Sequence, residues 1–139
     1  MVRRSVLYKR ISGVREHLNR LATRRGLSLE QFLGDPDSQD VIVHNLQLAI
    51  QGCIDIGAHV IANEGWGVPG SYAEVFSMLR KNGVLAPELA ERMARAAGFR
   101  NILIHDYLDL DLPTAYAVYT GGVADLEAFV RRIAEHFHL

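Results

Sequence analysis

The chain has 139 residues, enough for one compact domain spanning 1–139, and its 49% hydrophobic content is enough to fill a core. A formal net charge of -1 argues against a protein that coats nucleic acid through bulk charge, so no DNA partner is expected. Cys53 is alone, which excludes a disulfide framework and a cysteine zinc site; beside Gly52 and Ile54 it reads as a packed thiol.

The first segment carries Arg3, Arg4, Lys9, Arg10, Arg15, Arg20, Arg24 and Arg25, more than half of the 15 Lys and Arg in the chain. A solvated helix face accounts for such a run better than a phosphate-contacting stripe does. There is no apolar h-region and no cleavage pattern behind it, so it is not a secretory signal. No apolar run approaches the roughly 20 residues that cross a bilayer, and a soluble cytoplasmic protein is expected. Leu7, Ile11, Val14, Leu18 and Leu21 recur at three- and four-residue spacing, the stripe of an amphipathic helix that Gly26 ends. "SLEQFLGD" follows as a short turn or partial helix.

"DSQDVIVHNLQLAIQGCIDIGAHVIANEG" is the longest candidate helix, with Asp37 or Ser38 as its N-cap. Val41, Leu48, Ile54 and Ile61 lie among enough other apolar residues to bury most of its circumference, which places it centrally in a bundle. Gly52 and Gly57 each cost about 1 kcal/mol inside a helix, and close approach of a neighbouring helix would explain them. His44 and His59 on this segment read as hydrogen-bonded packing residues. "GWGVPGS" is a loop by composition, and Trp66 within it reads as an anchor against the bundle rather than a base-stacking residue. "SYAE" predicts a capping box, with the Ser71 hydroxyl and the Glu74 carboxylate bonding reciprocally at the start of a short helix that Gly83 ends.

Pro87 fits a first helical position before "ELAERMARAAGF". "RNILIHDYLDL" either continues that helix through Gly98 or starts a new one, and Pro113 ends it or begins the next piece. "VADLEAFVRRIAEHFHL" is the last amphipathic helix, with solvated His136 and His138 at its end. There is no convincing strand. An all-α, up-and-down antiparallel helical bundle follows.

"RNILIHDY", residues 100–107, mixes polar groups into an apolar run. On a helix, Tyr107 would lie about 20° from Arg100, whereas Arg100 and His105 would be about 140° apart. Ile104 and Leu108 fall between them, so the polar groups flank an apolar strip. A single copy makes a poor catalytic centre. Two copies packed across a twofold axis could bring both arginines and both histidines into one groove, hence the expected homodimer. The residue types suit phosphodiester cleavage. Arginine presents a planar fork of donors to phosphate oxygens, and histidine moves a proton near neutral pH. RNA carries its own 2′-OH nucleophile, so no metal or other cofactor is needed. By spacing alone the signal is weak, and a lone histidine on a partly apolar helix is more often a hydrogen-bonded core residue.

The stretch matches an R-x4-H-x-Y signature. With "LQLAIQGCIDIGAHVIANEG", "PGSYAEVFSMLRKNGVL" and "MARAAGFRNILIHDY" in that order, the chain resembles the HepT-like branch of the HEPN superfamily. The resemblance runs from about residue 40 through the last helix; the first helix matches only in character. It implies a single all-helical domain, a homodimer, and the toxin role in a type VII HepT/MntA toxin–antitoxin system. It further implies a metal-independent endoribonuclease with Arg100 and His105 as the catalytic pair at the dimer interface. Asn101 would help to orient the histidine. The implied partner is an MntA-like nucleotidyltransferase antitoxin that transfers AMP onto Tyr107. The rival reading is a non-catalytic HEPN subunit that binds such a nucleotidyltransferase and cleaves nothing.

Overall fold

The apolar stripes read from the sequence become the packed faces of six helices among the described residues. The computed structural model describes residues 2–105 and 109–139, except for the side chains of 104 and 105. Its helices are α1 (Arg4–Ala22), α2 (Leu29–Leu33), α3 (Pro36–Glu64), α4 (Tyr72–Lys81), α5 (Pro87–His105) and α6 (Leu112–His136), with no strand among the described residues. The expected stripe of α1, Leu7 to Leu21, is entirely buried. It runs antiparallel to α3: Val14 meets Gly52, the His17 imidazole bonds Asn45 at 3.0 Å, and Arg24 Nε donates to the Ser38 hydroxyl at 2.8 Å.

α3 is the central helix. By length and composition alone it could span a bilayer, contrary to the expectation from the sequence, but 56% of its apolar window is buried inside the bundle. Its N-cap is Asp35, not Asp37 or Ser38. The Asp35 carboxylate accepts from the Ser38 backbone N–H and from the Ser38 hydroxyl. The reason is Pro36, which has no N–H to satisfy and is preset for the first helical turn, so the helix starts earlier. These bonds from Ser38 hold the Asp35 carboxyl below the usual carboxylate range.

The glycines of α3 are contact points. A Cβ on Gly52 would fall 2.5 Å from Val14 Cγ2; one on Gly57 would fall 2.5 Å from Val75 Cγ1 and 3.2 Å from Leu79 Cδ1. Val75 is β-branched and fully packed, so its methyl has little freedom to move aside. Overpacking costs about 1–3 kcal/mol, which exceeds the gain of about 1 kcal/mol from replacing a helical glycine with alanine. Gly57→Ala is therefore expected to lower the urea midpoint, whereas Gly121→Ala, with nothing within 4 Å, should raise it. A stabilised Gly57→Ala protein would show that α4 does not need this close approach.

The helix α6 begins at Leu112, well before the expected Val123, and passes through Gly121 and Gly122. Pro113 sits in its first turn, where it costs nothing. Two phenols secure the added turns: Tyr119 donates to the Leu21 carbonyl and Tyr116 to the Leu27 carbonyl, each at 2.7 Å. At the far end Arg4 donates to the carbonyls of Phe137 and His138, so α1 and α6 are antiparallel. Phe76 of α4 and Phe129 of α6 meet edge-to-face at 5.6 Å in the core. α5 is continuous through Gly98, and its Leu89, Ala90, Met93, Ala97, Phe99 and Leu103 are buried. The Arg92 guanidinium bonds Asp125 at 2.7 Å and ties α5 to α6. The α4–α5 turn passes through Gly83 at φ +76, a conformation that suits glycine.

Candidate functional site

Arg100 lies at the seam between α4 and α5. The flanking Phe99 and Leu103 are buried and fix the rotation of the last turns of α5. Arg100 is half-buried, and its Cζ sits 5.6 Å from the centroid of the Tyr72 ring. Tyr72 is the first residue of α4 and is placed by its cap. The Ser71 hydroxyl accepts from the Glu74 N–H at 3.1 Å; the Glu74 carboxylate turns back to the Gly70 N–H at 3.0 Å, one residue short of the expected capping box.

The guanidinium has few polar partners. Nη1 donates to the Asn101 side-chain oxygen at 3.3 Å, a long bond. Nε is shut off from solvent and has no acceptor among the described residues, where Arg100 also forms no ion pair. A buried donor without a partner costs about 1–3 kcal/mol. An arginine kept for stability would be paired with a carboxylate, and this one is not among the described residues.

His105 is the last residue of α5. Helix geometry separates it from Arg100 by a rise of about 7.5 Å and a turn of about 140°. The His105 side chain, and with it the expected bond from Asn101, lies outside the described residues. So do Tyr107, Leu108, Asp106 and the Ile104 side chain. The bond that Asn101 makes among the described residues is to Arg100. Ile102 is 48% exposed, an apolar residue on the outer surface of α5 that the periodicity did not single out. Asp109, beside the motif, is exposed.

The remaining polar residues separate from this seam. His59 is half-buried, its ring bonded to Asn63 at 3.2 Å; burial, with Arg10 and Arg3 nearby, pushes its pKa down. His44 is exposed rather than packed. Cys53 is fully buried, and burial pushes its thiol far up, as an inert packing residue requires. Trp66 packs partly against the core. Among the described residues no group of three His, Cys, Asp or Glu could hold a metal ion.

Residues 14–133 match the family model described as Ribonuclease HepT-like. The chain belongs to the Ribonuclease HepT-like family. It is a HepT-like ribonuclease on an all-α HEPN fold. Among its curated relatives is an mRNA nuclease HepT of Shewanella oneidensis, 29% identical over 125 residues, covering 90% of this chain and 93% of that protein. Another is a tRNA nuclease HepT of Aphanizomenon flos-aquae, 29% identical over 128 residues and covering 92% and 87%. The solved structure of a tri-AMPylated Shewanella oneidensis HEPN toxin in complex with an MNT antitoxin superposes with a TM-score of 0.85 at 28% identity, covering 96% of this chain and 99% of that one. The HepT-like chain thus keeps the family fold over nearly its whole length, and the Tyr72 ring lies beneath Arg100, a contact that the motif did not point to.

Proposed function

We propose that the protein is the toxin of a toxin–antitoxin pair, a homodimer that cleaves RNA without a metal ion and is silenced by a nucleotidyltransferase antitoxin. The observation that carries the reading is Arg100, held half-buried on an aromatic ring with a donor that lacks an acceptor among the described residues. Phosphate is the ligand that a planar fork of donors matches best. Because helix geometry sets Arg100 and His105 about 140° apart, one copy cannot surround a phosphate, and a second copy completes the groove. The exposed Ile102 adds apolar surface for such a partner to cover.

In the reaction, the 2′-oxygen of the substrate attacks its own adjacent phosphorus, and the bond to the 5′-oxygen breaks. One histidine accepts the proton from the 2′-hydroxyl, and another donates a proton to the leaving 5′-oxygen. Arg100 stabilises the charge that develops on the non-bridging oxygens. The products are a 2′,3′-cyclic phosphate and a 5′-hydroxyl. Similarity to the HepT nucleases and to the toxin–MNT complex supports RNA as the substrate and an MNT-type nucleotidyltransferase as the partner.

The test is RNA cleavage by the purified protein in excess EDTA, with equilibrium sedimentation of the same sample. Cyclic-phosphate ends produced by a dimer are expected. A monomer at micromolar concentration sinks the shared groove. Loss of cleavage on chelation sinks the metal-free chemistry, and a dimer that cleaves nothing would leave a binding subunit for the nucleotidyltransferase.

A further inference from the structure

We infer that Tyr72 is a positioning residue of the ribonuclease site, holding the Arg100 guanidinium in place through the face of its ring. The inference rests on the proposed role of Arg100. Three observations carry it. The Arg100 Cζ lies 5.6 Å from the ring centroid, within the distance at which a cation is attracted to an aromatic face. Tyr72 remains 42% exposed although it is a large aromatic, so core packing does not account for it. Its hydroxyl makes no hydrogen bond among the described residues, which leaves the ring as the working part.

The alternatives for fixing Arg100 are weak. Among the described residues Nη1 has one long bond to a neighbouring amide, Nε has none, and no carboxylate pairs with the guanidinium. An arginine side chain has many rotamers, and ordering it has an entropic cost. A ring beneath the guanidinium orders it without occupying a donor. An acid at that place would take up the donors that a phosphate needs, whereas an aromatic face leaves them open. The Ser71 cap and the Glu74–Gly70 bond hold the first turn of α4, so the ring is presented by a rigid element.

The experiment compares purified Tyr72→Phe, Tyr72→Leu, Arg100→Ala and the double variant Tyr72→Leu/Arg100→Ala on one RNA, with melting curves as the fold control. Tyr72→Phe keeps the ring and is expected to stay within about twofold of wild-type kcat. Tyr72→Leu should lower kcat by about tenfold with little change in KM, as loss of a transition-state contact does. The double variant should be no worse than Arg100→Ala, because Tyr72 acts through that arginine. A second readout is independent of turnover: the Arg100 side-chain proton resonances should be shifted upfield by the ring in wild type and Tyr72→Phe, and return in Tyr72→Leu. Wild-type kcat in Tyr72→Leu alongside an inactive Arg100→Ala overturns this inference and leaves the site standing. A double variant worse than Arg100→Ala overturns it as well, since Tyr72 would then be structural. Full activity in Arg100→Ala overturns the site itself.

Discussion

His105→Ala is expected to lower RNA cleavage by about 10²-fold or more while the protein remains a folded dimer. The magnitude is that of a general acid or base, and in the proposed dimer the substitution is present twice. Arg100→Lys should lose nearly as much as Arg100→Ala. An ammonium is a point charge and cannot reproduce the planar fork, nor does it lie on the Tyr72 ring as a guanidinium does. Partial recovery in Arg100→Lys would mean that only charge matters at this position. Full activity in His105→Ala would remove the imidazole from the chemistry and move the search for the base elsewhere. Cleavage by single-turnover measurement, rather than growth arrest, is the measurement to use, because it separates chemistry from neutralisation by an antitoxin.

The helical order of the fold was legible because apolar side chains recur at helical spacing. The stripe from Leu7 to Leu21 and the crowded α3 needed nothing beyond that period. Ends were harder. Asp35, Asp37 and Ser38 are all good capping residues, and only the preference of Pro36 for a first turn decides among them. The start of α6 was missed because Gly121–Gly122 resembles a break. The bonds that keep those turns helical, Tyr119 to Leu21 and Tyr116 to Leu27, reach 98 and 89 residues along the chain. No local pattern contains them. For the candidate site, spacing placed Arg100 and His105 on one helix but left their chemistry open, and family resemblance supplied the reaction. Tyr72 escaped because it meets Arg100 only when α4 folds back on α5. What could have flagged it is an aromatic in the exposed first turn of a capped helix, where "SYAE" offers nothing for the ring to pack against.

Tyr107→Phe should retain ribonuclease activity and lose control by the antitoxin. Tyr107 has no task in the proposed cleavage, yet it follows His105 by two residues in the sequence, so a group attached to it would be carried beside the proposed catalytic pair. The phenol oxygen would attack the α-phosphorus of ATP, displacing pyrophosphate, and each AMP so added brings one negative charge and a nucleoside. A phosphodiester beside Arg100 would compete for the fork that the RNA phosphate needs; charge-adding modifications act through such local pairing. Silencing of this kind requires no unfolding, so the modified toxin should still sediment as a dimer and melt at the same temperature or higher. Intact-mass analysis after co-expression with the nucleotidyltransferase is the decisive measurement. One or more AMP units on wild type, none on Tyr107→Phe, and cleavage restored only in the latter are expected. A wild-type protein that is neutralised yet carries no adduct would mean that the antitoxin blocks the groove by binding. A modified Tyr107→Phe protein would mean that the acceptor is another residue, and the exposed phenol of Tyr72, next to the same arginine, would be the first to substitute.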